Sequence, residues 1–565
     1  MLSSTIHFLK NNTWLAIFLF ILPVILYILV FNAVSLNVNY VAFDDILILG
    51  VIPGFGESSW PEKWKRLTEL FPEHRLVFSR SIILLLQNTF GRLDLVWAMM
   101  IANFCWAACA FVFYKAFKRL KLSLWYFVPI MWLWFNIQSF ENIFWGVSSL
   151  CNFGVLLFVI TSFYFAAFYP KRIYYALPFA IIATFSYGNG LMAFPVIALL
   201  CLLSGQRVNF FITLVVMAAI ASIYFVDFKP ITQNLDISDP HEVKEGIMGF
   251  FGFIGSISTL YAYPADAFLL IIAVTSGVLM LLALLWLTRT QWAKWWKAVV
   301  QNKPYSNQVA LFAVALALFI AVTSLALSYK RIPTDHFEGM FKGRYRMYST
   351  LACVAIYFAF LSLTNTVTIK KYLPTIVLAT IVLNLVILHS NFADAINNRR
   401  LAICQEFNAR YNADWLGTRM FSMDRNHIEK IRAYYGSEDP LAEQWTPSNL
   451  SVNTPCEAPV IPVTVNLEEE LIRIKYNENT ITTDLDYSDG AYILLKSKEH
   501  TYFSPFMQYP LPLKTTLRRF LYFSKDVHAD FHSANVEPGI YDIYFVKRVN
   551  GLNRIYCTNK TWQEK

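Results

Sequence analysis

Two adjacent carboxylates, Asp44 and Asp45, stand in the stretch Asn39–Leu49 (NYVAFDDILIL), directly after an apolar run long enough to cross a bilayer. A carboxylate in such a place can take the proton of an attacking hydroxyl, which makes both residues catalytic candidates. An unpaired charge at bilayer depth costs roughly 2.5–3.5 kcal/mol, so the pair belongs at the membrane surface or in a polar cavity. Its plain reading is a solvated loop boundary. Other chemistry-bearing residues gather in four further stretches. Glu73, His74, Arg75 and Arg80 lie in FPEHRLVFSR, Glu141 and Asn142 come just before Trp145, and Tyr187 and Asn189 sit in SYGNG. Lys330, Arg331, Asp335 and His336 precede GRYRMYS, which contributes Arg344, Tyr345 and Arg346. Arginine holds a phosphate leaving group through bidentate, charge-assisted hydrogen bonds. The candidate phosphate or lipid ligands are therefore Arg344, Arg346, Lys330, Arg331, Arg75 and Arg80. Glu73, His74, Glu141, Asn142, Tyr187, Asn189 and Tyr345 are the candidate substrate contacts. Plainer roles stand beside each: a salt-bridge patch for the Glu73–Arg75 cluster, headgroup contacts for Arg344 and Arg346, an interfacial anchor for Trp145 and a turn residue for Asn189.

The elements that must position these residues follow from composition. The chain has 565 residues, 56% hydrophobic and 15% charged, against about 25% charged in soluble domains. It reads as an α-helical polytopic membrane protein with about eleven transmembrane helices and a C-terminal, extracytoplasmic, sandwich-like β-rich domain. The net charge of +9 does not point to nucleic acid, because the basic residues cluster in short connecting loops. The apolar runs fall at about 14–34, 94–114, 123–139, 146–169, 173–187, 190–204, 208–226, 265–288, 307–329, 347–364 and 373–390. The first is too long, and lacks the small-residue cleavage site, for a signal peptide.

Basic residues mark the even-numbered exits, at Lys115–Lys121, Pro170–Arg172, Arg207, Arg289–Lys303 and Lys370–Lys371. The positive-inside rule makes these cytoplasmic, with the N-terminus inside. The odd-numbered exits, 37–92, 136–145, 186–190, 227–264 and 330–346, then face outward and hold every candidate residue. The last of them is basic against the rule, which calls for a compensating anion such as a lipid phosphate. Three regions result: a membrane domain over 1–390, a helical and loop linker over 391–462, and a β-rich domain over 463–565. In the last, VTVNL, LIRIKY, AYILLK and IYDIYFVKRV alternate as strands, with Asp489-Gly490 and Asn550-Gly551 as turns. Five cysteines lie in apolar runs; Cys404, Cys456 and Cys557 leave room for one disulfide whose pairing the sequence does not give.

Taken together, FDD in the first outward loop, EHR-x4-R within it and GRYRMYS opening a late span resemble the GT-C superfamily of polytopic glycosyltransferases. FWGVSSLCNFG (Phe144–Gly154) and FSYGNGLMAFP (Phe185–Pro195) are similar to stretches in bacterial members. The likeness spans about residues 10–390 and leaves out the tail. It implies a sugar moved, with inversion, from a polyprenyl-phosphate donor to an envelope glycan or glycolipid such as O-antigen or lipopolysaccharide, at the periplasmic face of the inner membrane. It implies Asp44 or Asp45 as the base and Arg344 at the lipid phosphate. Relatives often separate their acidic pair and use a metal; the adjacent pair here leaves a divalent cation, magnesium or manganese, open. The competing functions are translocation of a lipid-linked saccharide and a non-catalytic part in envelope assembly.

Overall fold

The computed structural model describes residues 13–35, 45–71, 73–229, 233–262, 266–411, 430–431, 434, 456–468, 471–476, 488–524, 527–549 and 552–564. Among them eight helices are long and apolar enough to cross a membrane: Thr13–Ser35, Leu95–Lys118, Gly146–Phe168, Arg207–Tyr224, Ala267–Gln301, Gln308–Asp335, Gly343–Leu363 and Thr366–Gln405. The apolar runs at 123–139, 173–187 and 190–204 form shorter helices, Leu124–Trp134, Ile173–Thr184 and Gly188–Leu203. At 1.5 Å per residue these rise only about 16–24 Å, short of a hydrocarbon core of about 30 Å. Eight runs, not eleven, therefore reach membrane length.

Two expectations change. The stretch 227–264, expected as a loop, carries a helix, Pro240–Gly255, capped by Asp239, whose carboxylate accepts the His241 N–H at 2.8 Å. Its glycines recur at 246, 249, 252 and 255, and a methyl group on Gly255 would lie 2.1 Å from the Ala273 carbonyl of the next helix. Small residues on that face let two backbones approach closely. The second change concerns the domain boundary. The last helix does not stop at 390 but runs unbroken over Thr366–Tyr411, 46 residues, or about 69 Å. Residues 391–411 of the expected helical and loop region are helical and carry contacts to the C-terminal domain.

That domain has two antiparallel sheets. One has the order β1 (Thr464–Glu468), β2 (Leu471–Tyr476), β5 (Val527–His532), and the other β4 (Thr501–Pro505), β3 (Gly490–Lys496), β6 (Gly539–Val549), β7 (Leu552–Glu564). Ile472, Ile474 and Ala529 of the first meet Ile493, Leu495 and Ile543 of the second in one apolar cluster, as a sandwich requires. Tyr502 and Phe506 fill this core. A disulfide joins Cys456 to Cys557, leaving Cys404 a buried thiol in the long helix.

Polar side chains fasten the sandwich to the helix. Asn397 donates to the Gln508 carbonyl (2.7 Å) and accepts its N–H (2.9 Å), and Asn408 does the same with Phe503 (2.9 and 2.8 Å). Arg399 reaches both Ser488 Oγ and the carbonyl of Val34 in the first helix, each at 3.1 Å. Met99, Phe407, Tyr492 and Phe503 form an apolar cluster with Phe31 and Trp145 at its margin. The domain thus sits directly over the start of the membrane bundle.

Candidate functional site

The basic turns share one end of the bundle. Arg119 donates to Tyr169 Oη (2.8 Å), Asn209 to the Pro170 carbonyl (2.7 Å), Arg207 to the Val299 and Val300 carbonyls (3.3 Å each) and Asn307 to the Ser362 carbonyl (2.9 Å). Asp45 lies at the opposite end, against the start of the Gly146–Phe168 helix. That helix, with Tyr169 just beyond its far end, has 23 residues, about 35 Å or one bilayer thickness. Aromatic, acidic and arginine side chains from the turns at that end converge there.

Asp45 begins a short helix, Asp45–Leu49, and is 1% exposed. Its Oδ1 accepts the Trp145 Nε1–H at 3.0 Å and the Val147 N–H at 3.3 Å. Val147 is the second residue of its helix, so the carboxylate also meets the positive end of the helix dipole. Asp44 lies outside the described residues. Trp145, expected as an interfacial anchor, is instead a relay: the Arg344 guanidinium stands 5.8 Å from its ring centroid and 5.5 Å from that of Tyr345. Two neighbours grip the Arg344 backbone from both sides. Glu141 Oε2 accepts its N–H and Asn142 Nδ2 donates to its carbonyl, each at 2.7 Å. Asn142 Oδ1 is in turn fixed by Asn152 Nδ2 at 2.8 Å. Glu141 and Asn142 therefore orient Arg344.

The Ser186–Gly190 turn closes the hairpin between the two short helices. Gly188 is required because a methyl group there would lie 2.8 Å from both His74 Nδ1 and Tyr224 Oη, and one on Gly190 would lie 2.2 Å from the Ala183 carbonyl. The His74 and Tyr187 rings pack at 4.3 Å, and Asn189 donates to Tyr348 Oη at 2.6 Å. Tyr348 had not been singled out; it lies one turn after Tyr345, a spacing that puts both on one helix face. His74 Nδ1 and Asn189 Oδ1 are buried without a hydrogen-bond partner among the described residues. Tyr345 Oη, beside Arg344, also lacks one of good geometry. Glu73 enters through its backbone carbonyl, 3.4 Å from Tyr224 Oη.

The six cations part company. Arg75 gives its guanidinium to the carbonyls of Tyr224 (2.7 Å), Thr68 (2.5 Å) and Val226, and Arg80 to those of Leu67 (3.1 Å) and Glu69 (2.5 Å). Arg346 is fully buried and bonds Ala262 (3.1 and 2.7 Å), Phe341 (3.0 Å) and Ser256 (3.4 Å), again all carbonyls. These three were expected at a phosphate. Their donors instead serve backbone oxygens left over where helices break, which an arginine fork satisfies well. Arg331 lies 3.9 Å from Asp335, which accepts Lys342 Nζ at 2.6 Å. Lys330 is half-buried with no ion pair among the described residues. Arg331 and Arg344 share an electrostatic neighbourhood with Tyr187 and Tyr345. Arg331, Arg344 and Lys330 are the candidate cations whose side chains are not given over to backbone carbonyls among the described residues. The described carboxylates Asp45 and Glu141 accept N–H donors.

Burial, and then the Arg331 charge, hold the His74 imidazole down to about 4 from its ordinary 6.5, with Glu73 pulling the other way. An unfolded chain protonates His74 below about pH 6.5, whereas the folded chain resists until about pH 4. Stability is therefore full above pH 6.5 and falls as the pH drops toward 4, by about 2 kcal/mol after discounting for the ring's partial exposure. Melting curves across that window should show the decline, and His74→Gln should flatten it. An unchanged slope in the variant would remove His74 as its source.

Comparison of the chain with protein-family models, curated proteins and solved structures gives no match. The functional reading rests on the residues themselves.

Proposed function

We propose that the protein is a membrane glycosyltransferase that moves a sugar from a polyprenyl-phosphate donor to an envelope glycan or glycolipid. The carrying observation is the line from carboxylate to cation: Asp45 bonded to Trp145, Trp145 under Arg344, and Arg344 clasped by Glu141 and Asn142. In this reading the first-loop carboxylate, Asp44 or Asp45, takes the proton of the acceptor hydroxyl as its oxygen bonds to the anomeric carbon. The bond from that carbon to the phosphate oxygen breaks, and Arg344 and Arg331 meet the charge of the departing polyprenyl phosphate. A positioned base contributes about 10²–10⁴-fold, and fixed cations at the leaving group a comparable factor.

The short hairpin supports a lipid-borne donor. Helices of about 18 and 24 Å bring the Ser186–Gly190 turn to a level below the outer membrane surface. Irregular backbone at that depth must be buried in protein or line a polar cavity, where the head of a membrane-embedded substrate would sit. The disulfide in the β-rich domain fits an oxidising, periplasmic side. The basic end then faces the cytoplasm, as in an integral inner-membrane protein with its N-terminus inside.

The same hairpin favours a second reading, translocation of a lipid-linked saccharide, because transporters use interrupted helices. Reconstituted protein given radiolabelled polyprenyl-phosphate sugar and a glycolipid acceptor distinguishes the two. Label transferred to the acceptor supports the enzyme; label crossing the bilayer still on its carrier supports the transporter. Full transfer by both Asp44→Asn and Asp45→Asn would end the assignment of the base.

A further inference from the structure

At the basic end of the bundle, far from the site just described, a cavity of about 390 Å³ opens beside the helix Trp292–Gln301. Lys294, Lys297 and Lys303 line it, together with Ser306 and Asn307. From Arg289 to Gln308 the chain has four basic residues and no acidic one. Arg289 is engaged by Trp286, its guanidinium 4.2 Å from the ring centroid. None of the three lysines has a carboxylate partner among the described residues. Three lysines lining one cavity without a carboxylate among them favour an anion there.

The walls of the cavity are fixed. Arg207 holds the last turn of the helix by the Val299 and Val300 carbonyls. The Tyr305 N–H donates to the Leu203 carbonyl at 2.9 Å, and Tyr305 Oη to Gln291 Oε1 at 3.1 Å. Asn307 ties the next helix to Ser362. The helix is two-faced: Trp292, Trp295, Trp296 and Val299 recur at helical spacing on one side, Lys294 and Lys297 on the other. Trp292 is 50% and Trp296 70% exposed. A helix of this kind lies in the membrane interface with its aromatic side toward the acyl chains and its lysines at phosphate level.

We infer that this cavity is a binding site for a phosphate-bearing ligand, lined by Lys294, Lys297 and Lys303 and separate from the site at the opposite end. Its volume suits a headgroup or a diphosphate. The chemistry is the same whether the phosphate belongs to an anionic phospholipid or to a soluble compound, and two assays on the full-length protein tell the sources apart. In nanodiscs mixing phosphatidylglycerol with phosphatidylcholine, native mass spectrometry reads the lipid retained. In neutral detergent, calorimetry reads binding of inorganic pyrophosphate.

A headgroup site predicts phosphatidylglycerol retained above its bulk share, falling at least fivefold in the triple variant Lys294→Gln, Lys297→Gln, Lys303→Gln and persisting in the corresponding triple arginine variant. A soluble ligand predicts pyrophosphate binding that weakens with added salt and is lost in the glutamine variant. The lysines are exposed, and a wild-type melting temperature in each variant confirms the fold. Wild-type protein that neither enriches phosphatidylglycerol nor binds pyrophosphate overturns the inference; so does equal retention in the glutamine variant.

Discussion

Arg344→Gln should lower sugar transfer by about 10²–10³-fold while the protein melts as the wild type does; Arg346→Gln should destabilise the fold. Two residues apart, these arginines do different work. The Arg344 side chain rests on two aromatic faces, while its backbone is held independently by Glu141 and Asn142. Removing the guanidinium leaves that grip in place and takes away the cation proposed to meet the leaving phosphate. Arg346 bonds three buried carbonyls, at Ala262, Ser256 and Phe341. Its loss strands them in a low-dielectric interior, at about 3–5 kcal/mol in total. Transfer rate and thermal unfolding, measured in one detergent, separate the two effects. Arg344→Lys should recover part of the rate, since it restores charge without the bidentate fork. Wild-type transfer in Arg344→Gln would leave the proposed leaving-group site without its principal member.

The second large effect is expected at the acidic pair, where the two residues should respond differently. Asp45→Ala should cost about 3–5 kcal/mol of stability, because it leaves Trp145 Nε1–H and the Val147 N–H without their acceptor. Trp145 would then lose its tether and Arg344 the ring beneath it, so activity should fall with the fold. Asp45→Asn keeps an accepting oxygen and loses the charge at the helix start, about 0.3–2 kcal/mol. Asp44→Asn should drop transfer by about 10²–10⁴-fold at unchanged melting temperature. That pattern makes Asp44 the base and Asp45 a positioning residue. An Asp45→Asn protein that is inactive yet fully stable, beside an active Asp44→Asn, would reverse the roles.

Periodicity and composition made the helices and strands legible, because burying an apolar run in lipid or in a sandwich core is decided by local sequence. The grouping of Asp45, FENIFW, SYGNG and GRYR at one end was legible too, through the charge asymmetry of the loops. The division of labour among the arginines was not. Arg75, Arg80 and Arg346 look like Arg344 in sequence, and what sets them apart is which carbonyls the broken helices leave open. That is a property of tertiary packing. The Pro240–Gly255 helix escaped notice because GIMGFFGFIG is too short to read as a span, although glycine at every third position was a usable sign of close packing. The apolar run ends at 390, where Asp394, Asn397, Arg399 and Arg400 follow, and the sequence does not say that the helix continues unbroken through them. They are helical residues whose polar partners belong mostly to the C-terminal domain, about a hundred residues downstream.

The bond from Arg399 to the Val34 carbonyl spans 365 residues. It sets an order of events during synthesis. At about 5–20 residues per second, the first membrane helix emerges some 20–70 s before the arginine that clamps it. Tyr492 and Phe503, which help enclose Phe31 and Met99, come later still. The first helix is fastened earlier by Trp132, which donates to the Leu19 carbonyl at 2.8 Å, and Arg399 secures its Val34 end only later. A chain cut short before Gly490 would keep its membrane-length helices but lack the partners that Asn397, Asn408 and Arg400 find in the sandwich.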